Sequence, residues 1–206
     1  VRRHGTAATA AVTVIALCAG AWLLHDGLAT HAPPQPSAAE ARADAAAEPA
    51  ARPLPPSPPD RIRIPAIRVD APLTGLGLTA SGSLDVPPAE RENLAGWYEA
   101  GTTPGERGTA IVAGHVDNAD GPAVFFSLGA LKKGGVIEID RRDGGTARFS
   151  VYAVEVYRAA DFPDQKVYGT APRPELRVIT CGGGWSRATG YQGNVVVFAR
   201  LTGAAR

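Results

Sequence analysis

The chain carries almost no surplus charge. Its 206 residues hold 21 lysines and arginines against 20 aspartates and glutamates, a formal charge of +1. A nucleic-acid partner needs a basic face, so none is expected. Cysteine is nearly missing: Cys18 and Cys181 are the only two. Two cannot staple a disulfide-rich scaffold, and no Cys/His cluster has zinc spacing. Helical periodicity is also scarce, with a short helix predicted at 89–93 and a turn near 123–128, which argues against a helical bundle. Glycine (24) and proline (18) are abundant instead. Together they make up about a fifth of the chain, against an average near 12%. A hydrophobic content of 45% is ordinary for a folded domain, so the chain is not disordered throughout.

Three regions follow one another. Residues 1–30 contain an uncharged run, 7–24, preceded by Arg2, Arg3 and His4 and followed by Asp26. At 1.5 Å per residue it spans about 27 Å, enough for the hydrocarbon core of a bilayer. The basic flank leaves the N-terminus in the cytoplasm and the rest outside. The run reads as an uncleaved signal-anchor. Ala19-Gly20-Ala21 has the small-x-small form of a cleavage site, and a cleaved signal peptide would export the remainder equally. Cys18 lies inside the run and is read as a lipid-buried thiol without a task. Residues 31–60 hold nine of the 18 prolines, five of them between Pro53 and Pro59. Clustered prolines favour polyproline II, so this stretch is expected to be a semi-rigid spacer, with a transient helix in its Ala-rich middle. Residues 61–206 form the folded domain, large enough to bury a proper core.

Short alternating or β-branched segments fill that domain: 61–64, 108–113, 136–139, 147–154, 176–180 and 194–199. Ile137 and Ile139 face one way and Glu138 and Asp140 the other, as a half-exposed strand requires. The unbroken apolar run 195–198 predicts a central strand covered on both faces. The domain therefore reads as all-β, its edges closed into a barrel or sandwich.

Two residues stand out chemically. Cys181 follows the strand 176–180 and precedes Gly182-Gly183-Gly184, which puts a nucleophile at a rim beside bare peptide N–H groups. Exported cysteines are usually paired. The other cysteine lies in the membrane run, so Cys181 is a free thiol, either a catalytic nucleophile or an inert buried residue. Histidines 4, 25 and 31 precede the domain, leaving His115 as its only imidazole, again just after a strand. One cysteine and one histidine at strand ends in an exported β domain point to a thiol transferase or protease. His precedes Cys, which disfavours a papain-like order.

The motifs that carry the next step are Ile64-Pro65-Ala66-Ile67-Arg68-Val69-Asp70-Ala71-Pro72, Trp97-Tyr98, Ala113-Gly114-His115-Val116-Asp117, Val178-Ile179-Thr180-Cys181-Gly182-Gly183 and Asn194-Val195-Val196-Val197-Phe198-Ala199. In this order the domain resembles a sortase, most like the class F group beside class E. The resemblance implies an eight-stranded β-barrel and a Cys-His-Arg site. It implies a membrane-bound cysteine transpeptidase, with hydrolysis as the side reaction, that cleaves a Leu-Pro-x-Thr-Gly-like sorting signal between Thr and Gly. Cys181 would form the thioester. His115 would protonate the leaving amine and then deprotonate the incoming one, and its imidazolium would lower the thiol pKa. The implied partners are surface proteins bearing that signal, an acceptor amine from a peptidoglycan cross-bridge or pilin lysine, and the bilayer through 7–24.

The arginine departs from the family pattern. Asn194 stands where many sortases have it, and Gln192 where many related chains are basic. Arg187, in the loop after Cys181, is the candidate for the role, with Arg200 and Asn194 as alternatives. No cofactor is expected, and Asp117 with Asp120 makes a poor cage for a hard cation. Trp185 is expected to touch substrate, and 163–174 to be a groove-wall loop. An L,D-transpeptidase would carry Ser-His-Gly-Cys, which Val178-Ile179-Thr180-Cys181 does not match. A barrel that binds sorting signals without turnover is the remaining alternative.

Overall fold

The computed structural model describes residues 32–42 and 51–205. The run 7–24 with Cys18, the three early histidines and most of the Ala-rich middle lie outside the described residues. Among the described residues no helix is long and apolar enough to cross a membrane.

Ten strands form among the described residues: β1 (Pro59–Ile64), β2 (Val69–Leu76), β3 (Ala95–Tyr98), β4 (Gly108–Gly114), β5 (Asp117–Asn118), β6 (Gly121–Pro122), β7 (Val136–Arg141), β8 (Thr146–Arg158), β9 (Pro174–Ser186) and β10 (Gly190–Ala205). Eight close into a barrel in the order β1-β2-β3-β4-β9-β10-β8-β7, with β7 pairing back onto β1. Strands β5 and β6 make a separate hairpin. The all-β, eight-stranded expectation is met.

Side-chain alternation explains the closure. In β7, Ile137 and Ile139 are fully buried while Glu138 and Asp140 stay half exposed and pair with Arg63 of β1. The apolar run of β10 has two faces covered. Val195, Val197, Ala199 and Leu201 enter the main core with Phe149, Leu176 and Val178. Val196 and Phe198 pack outward with Ile111, Ile179 and Val167 in a second cluster. Val167 comes from the helix Asp164–Tyr168, inside the stretch expected to be a loop. Five residues are too few to show a helical period in sequence.

Two other expectations change. Residues 89–93 form turns rather than a helix. They are all exposed, so no apolar face rewards a helix there. Where it is described, the proline-rich run is docked rather than free. Leu54 N–H donates to the Gly105 carbonyl at 2.8 Å, and its side chain packs against the core. Arg141, with a side chain 1% exposed, donates to the carbonyls of Pro104 and Pro55 at 2.5 Å each and pairs with Asp143 at 2.9 Å. Polyproline II leaves its carbonyls without internal partners, which is what lets a buried guanidinium take them. Upstream, the Glu40 carbonyl accepts from Val154 N–H at 3.0 Å and its carboxylate from Lys133 N–H at 2.8 Å.

The connection that matters most is parallel. β4 and β9 run side by side with Ala113 opposite Ile179. Residues following both strands therefore emerge at the same end of the barrel.

Candidate active site

Extending the β4–β9 register by two positions sets His115 opposite Cys181. In-register residues of parallel strands share a face, and adjacent strands lie about 4.8 Å apart. Thr180 fixes this end: its hydroxyl, buried with the residue, donates to the Gly114 carbonyl at 2.8 Å. The residue before His115 is thus bonded to the residue before Cys181. The backbones that carry the two candidates are therefore joined one residue before each of them.

His115 is further held by its own loop. Its carbonyl accepts from Phe125 N–H at 3.0 Å. Its ring Nε2 lies 2.7 Å from the Pro87 carbonyl oxygen. A carbonyl can only accept, so Nε2 carries the proton and Nδ1 is the basic nitrogen of the neutral ring. The connection that supplies Pro87 is tied to the same loop by Asn118, whose Nδ2 donates to the Ala89 carbonyl at 2.9 Å, and by Val124 N–H, which donates to the Glu92 carbonyl at 2.8 Å.

Cys181 is an exposed, free thiol on β9. Its pKa is raised, first by desolvation from the surrounding protein and then by the Asp117 carboxylate. The lowering expected from a nearby imidazolium is not present: the His115 ring is engaged with Pro87, and the charge acting on the sulfur is negative. Raised, the thiol is protonated at neutral pH in this state. Across β10, Asn194 pairs with Cys181, and Tyr157 of β8 pairs with Asn194.

Asp117 was weighed in sequence only as a metal ligand. Here its carboxylate accepts from the Tyr191 hydroxyl, joining the loop after His115 to β10. The Tyr191 pKa is pushed up by desolvation and by that carboxylate. Tyr191 itself pairs with Trp185 across the hairpin, and Trp185 is 58% exposed. No spacing rule flags Tyr191; the signal in sequence was only that Asp117 stands two residues after His115.

The arginines are placed elsewhere. β9 continues through the glycines, with Gly183 and Gly184 at positive φ, as far as Ser186. Arg187 therefore sits exposed in the hairpin turn, six positions beyond Cys181. Six positions span at most about 20 Å along a strand, and no hydrogen bond or ion pair holds Arg187 to the site among the described residues. Arg200 pairs with Glu175 and stacks 4.5 Å from the Tyr152 ring centre, far down β10. Arg177, on the Cys181 face but four positions earlier, is buried against Glu175 at 2.8 Å and over the Phe198 ring. Asn194 is the polar side chain in register with the thiol.

Upstream of the pair, a cavity of about 680 Å³ lies along the outer face of β4. Ile111 and Thr109 line its floor, Leu78 and Leu84 one wall, and Asp164 and Tyr168 the other. It is a mixed polar and apolar cleft, suited to an extended peptide.

A family model for the sortase domain matches residues 62–202. No curated protein matches. Among solved structures, sortase A from Corynebacterium diphtheriae is 22% identical with a TM-score of 0.53, over 71% of this chain and 62% of that one. Sortase A from Listeria monocytogenes is 15% identical with a TM-score of 0.53, over 72% and 89%. A sortase D5 transpeptidase from Clostridium perfringens is 23% identical with a TM-score of 0.52, over 71% and 79%. At these identities the structural likeness concerns the barrel alone.

Proposed function

The chain belongs to the sortase family of cysteine transpeptidases, and from that premise we propose that it cuts a Leu-Pro-x-Thr-Gly-like signal and passes the acyl part to an amine. One observation supports this reading: the Thr180 hydroxyl bonds the Gly114 carbonyl, tying the residue before Cys181 to the residue before His115. The peptide lies in the cavity along β4, its acyl part upstream of the thiol. Cys181 passes its proton to neutral His115 as it attacks the Thr carbonyl, and His115 delivers that proton to the glycine amine as the C–N bond breaks. The thioester keeps the acyl group reactive until an amine resolves it.

In this scheme Asn194 Nδ2 takes the place of the missing arginine and donates to the oxyanion. A neutral donor stabilises that charge less than a guanidinium does, so the chemical step is slow for the fold. We further propose membrane attachment through residues 7–24, an extracytoplasmic barrel, and kinship with class F. Surface proteins bearing the signal and a cell-wall or pilin amine are the corresponding partners.

The test is intact-mass analysis of the full chain incubated with a Leu-Pro-x-Thr-Gly peptide. An adduct equal to the acyl fragment, lost in Cys181→Ala, supports the reading. Bound but uncut peptide would favour a recognition barrel without turnover, the reading that the distant arginines would suit.

A further inference from the structure

The amine side of the site carries an unassigned group. In the transpeptidase reading, the acyl part of a peptide occupies the cavity lined by Ile111 and Thr109 of β4. The leaving amine and the incoming amine must therefore share the opposite side of the thiol. That side is built from the loop after His115 and the start of β10, and Asp117 and Tyr191 meet there. Asp117 begins β5, two residues after His115, and is half buried. One carboxylate oxygen, Oδ2, is held by the Tyr191 hydroxyl. The other makes no side-chain hydrogen bond among the described residues. Tyr191 stands three positions before Asn194, the β10 partner of Cys181, so the contact ties this carboxylate to the strand beside the thiol.

We propose that Asp117, oriented by Tyr191, is the binding group for the acceptor amine in its protonated form. The inference rests on the transpeptidase reading above. Primary amines of both plausible kinds, α-amino and lysine ε-amino, are mostly ammonium at neutral pH. An ammonium has three donors and no acceptor, so it needs an anion or carbonyl facing the thioester. A carboxylate with one oxygen already occupied presents the other in a fixed direction. Arg177 is engaged with Glu175, and Arg200 stacks on Tyr152 six positions along β10 from Asn194.

The step balances without a co-reactant. The ammonium held by Asp117 gives one proton to neutral His115. The nitrogen lone pair then forms the C–N bond as the C–S bond breaks. A second nitrogen proton goes to the departing sulfur. The products are the amide, the Cys181 thiol and an imidazolium at His115. The carboxylate opposes thiolate formation in the resting enzyme, which suits a group that serves the second half-reaction rather than the first.

The experiment uses the full chain and separates the two half-reactions. A labelled Leu-Pro-x-Thr-Gly peptide gives the acyl-enzyme, which is then partitioned between water, glycinamide and hydroxylamine at neutral pH. Hydroxylamine is uncharged under these conditions and so cannot form an ion pair with a carboxylate. In Asp117→Asn the half-saturating glycinamide concentration is expected to rise about ten- to a hundredfold, the range of a hydrogen bond between charged groups. Acyl-enzyme formation and transfer to hydroxylamine are expected to persist. Tyr191→Phe, which frees the carboxylate to rotate, is expected to show a smaller loss in the same direction. Equal loss with both nucleophiles, or none with glycinamide, would overturn the proposal and leave the transpeptidase reading intact. Absence of any acyl-enzyme in the unmodified chain would overturn both.

Discussion

Replacing Thr180 with valine removes one hydrogen atom's worth of bonding and almost no volume, yet it acts where two strands deliver the site. The hydroxyl is buried and donates to the Gly114 carbonyl at 2.8 Å. Valine fills the same space with a methyl group. The loss combines a buried hydrogen bond with an acceptor deprived of a partner, about 1–3 kcal/mol. For a domain of this size each kcal/mol moves the melting midpoint by about 2–4 °C, so a fall of about 4–8 °C is expected for a cost near 2 kcal/mol. The effect on turnover follows from geometry. The bond sets how far apart β4 and β9 end, and hence how His115 meets Cys181. A displacement near 1 Å at reacting groups costs about a hundredfold. Circular dichroism melting and peptide turnover would be measured on Thr180→Val and Thr180→Ser together. Serine keeps the donor and loses only a methyl group, so it should recover most of the turnover. A valine variant that melts within about 1 °C of the parent and turns over normally would refute the reasoning, as would a serine variant as impaired as valine.

Other outcomes follow from the same structure. Asn194→Ala is expected to slow thioester formation about a hundredfold with little change in KM, as for loss of an oxyanion donor; stopped-flow acylation measures it. Cys181 alkylation by iodoacetamide should rise with pH to an inflection above the ordinary 9.0 of a thiol, because desolvation and then Asp117 raise its pKa, and Asp117→Asn should move the inflection down. Asp140 has a lowered pKa: desolvation opposes the shift, and hydrogen bonds from Arg63 and Thr146 outweigh it. A depressed carboxylate stabilises the fold fully above its unfolded value of 3.8 and loses that contribution as pH falls through the lower folded value, so acid unfolding should be shallower in Asp140→Asn. Arg141→Met should leave the Pro55 and Pro104 carbonyls without their donor and release the proline run, seen as faster proteolysis within 51–58 and a lower melting midpoint.

The barrel was legible where side chains alternate or run apolar. β4, β7 and β10 could be found because one or both of their faces enter a core. β2 and β3 were not found. Pro72 and Gly75 interrupt β2, as only an irregular or edge-like strand tolerates, and β3 is four residues long. Cys181 and His115 could be picked out because each is the only one of its kind within 61–206 and each follows a β-branched segment. Their adjacency could not be derived from spacing, since it depends on a parallel pairing between strands some sixty residues apart. Arg187 shows the opposite failure. Three glycines read as a flexible loop that could fold back over the thiol. In the structure they continue β9 and leave Arg187 exposed in the turn beyond Ser186. The Asp117–Tyr191 contact joins residues from two ends of the domain, and no local pattern announces it.

The most direct measurement is ligation by the full chain of a Leu-Pro-x-Thr-Gly peptide to a glycine amine, followed by mass spectrometry alongside Cys181→Ala and His115→Ala. The account predicts a Thr–Gly junction rebuilt onto the added amine, abolished without the thiol and strongly reduced without the imidazole. Ligation that survives Cys181→Ala, or a Cys181 that forms no acyl adduct with the peptide at all, would contradict it.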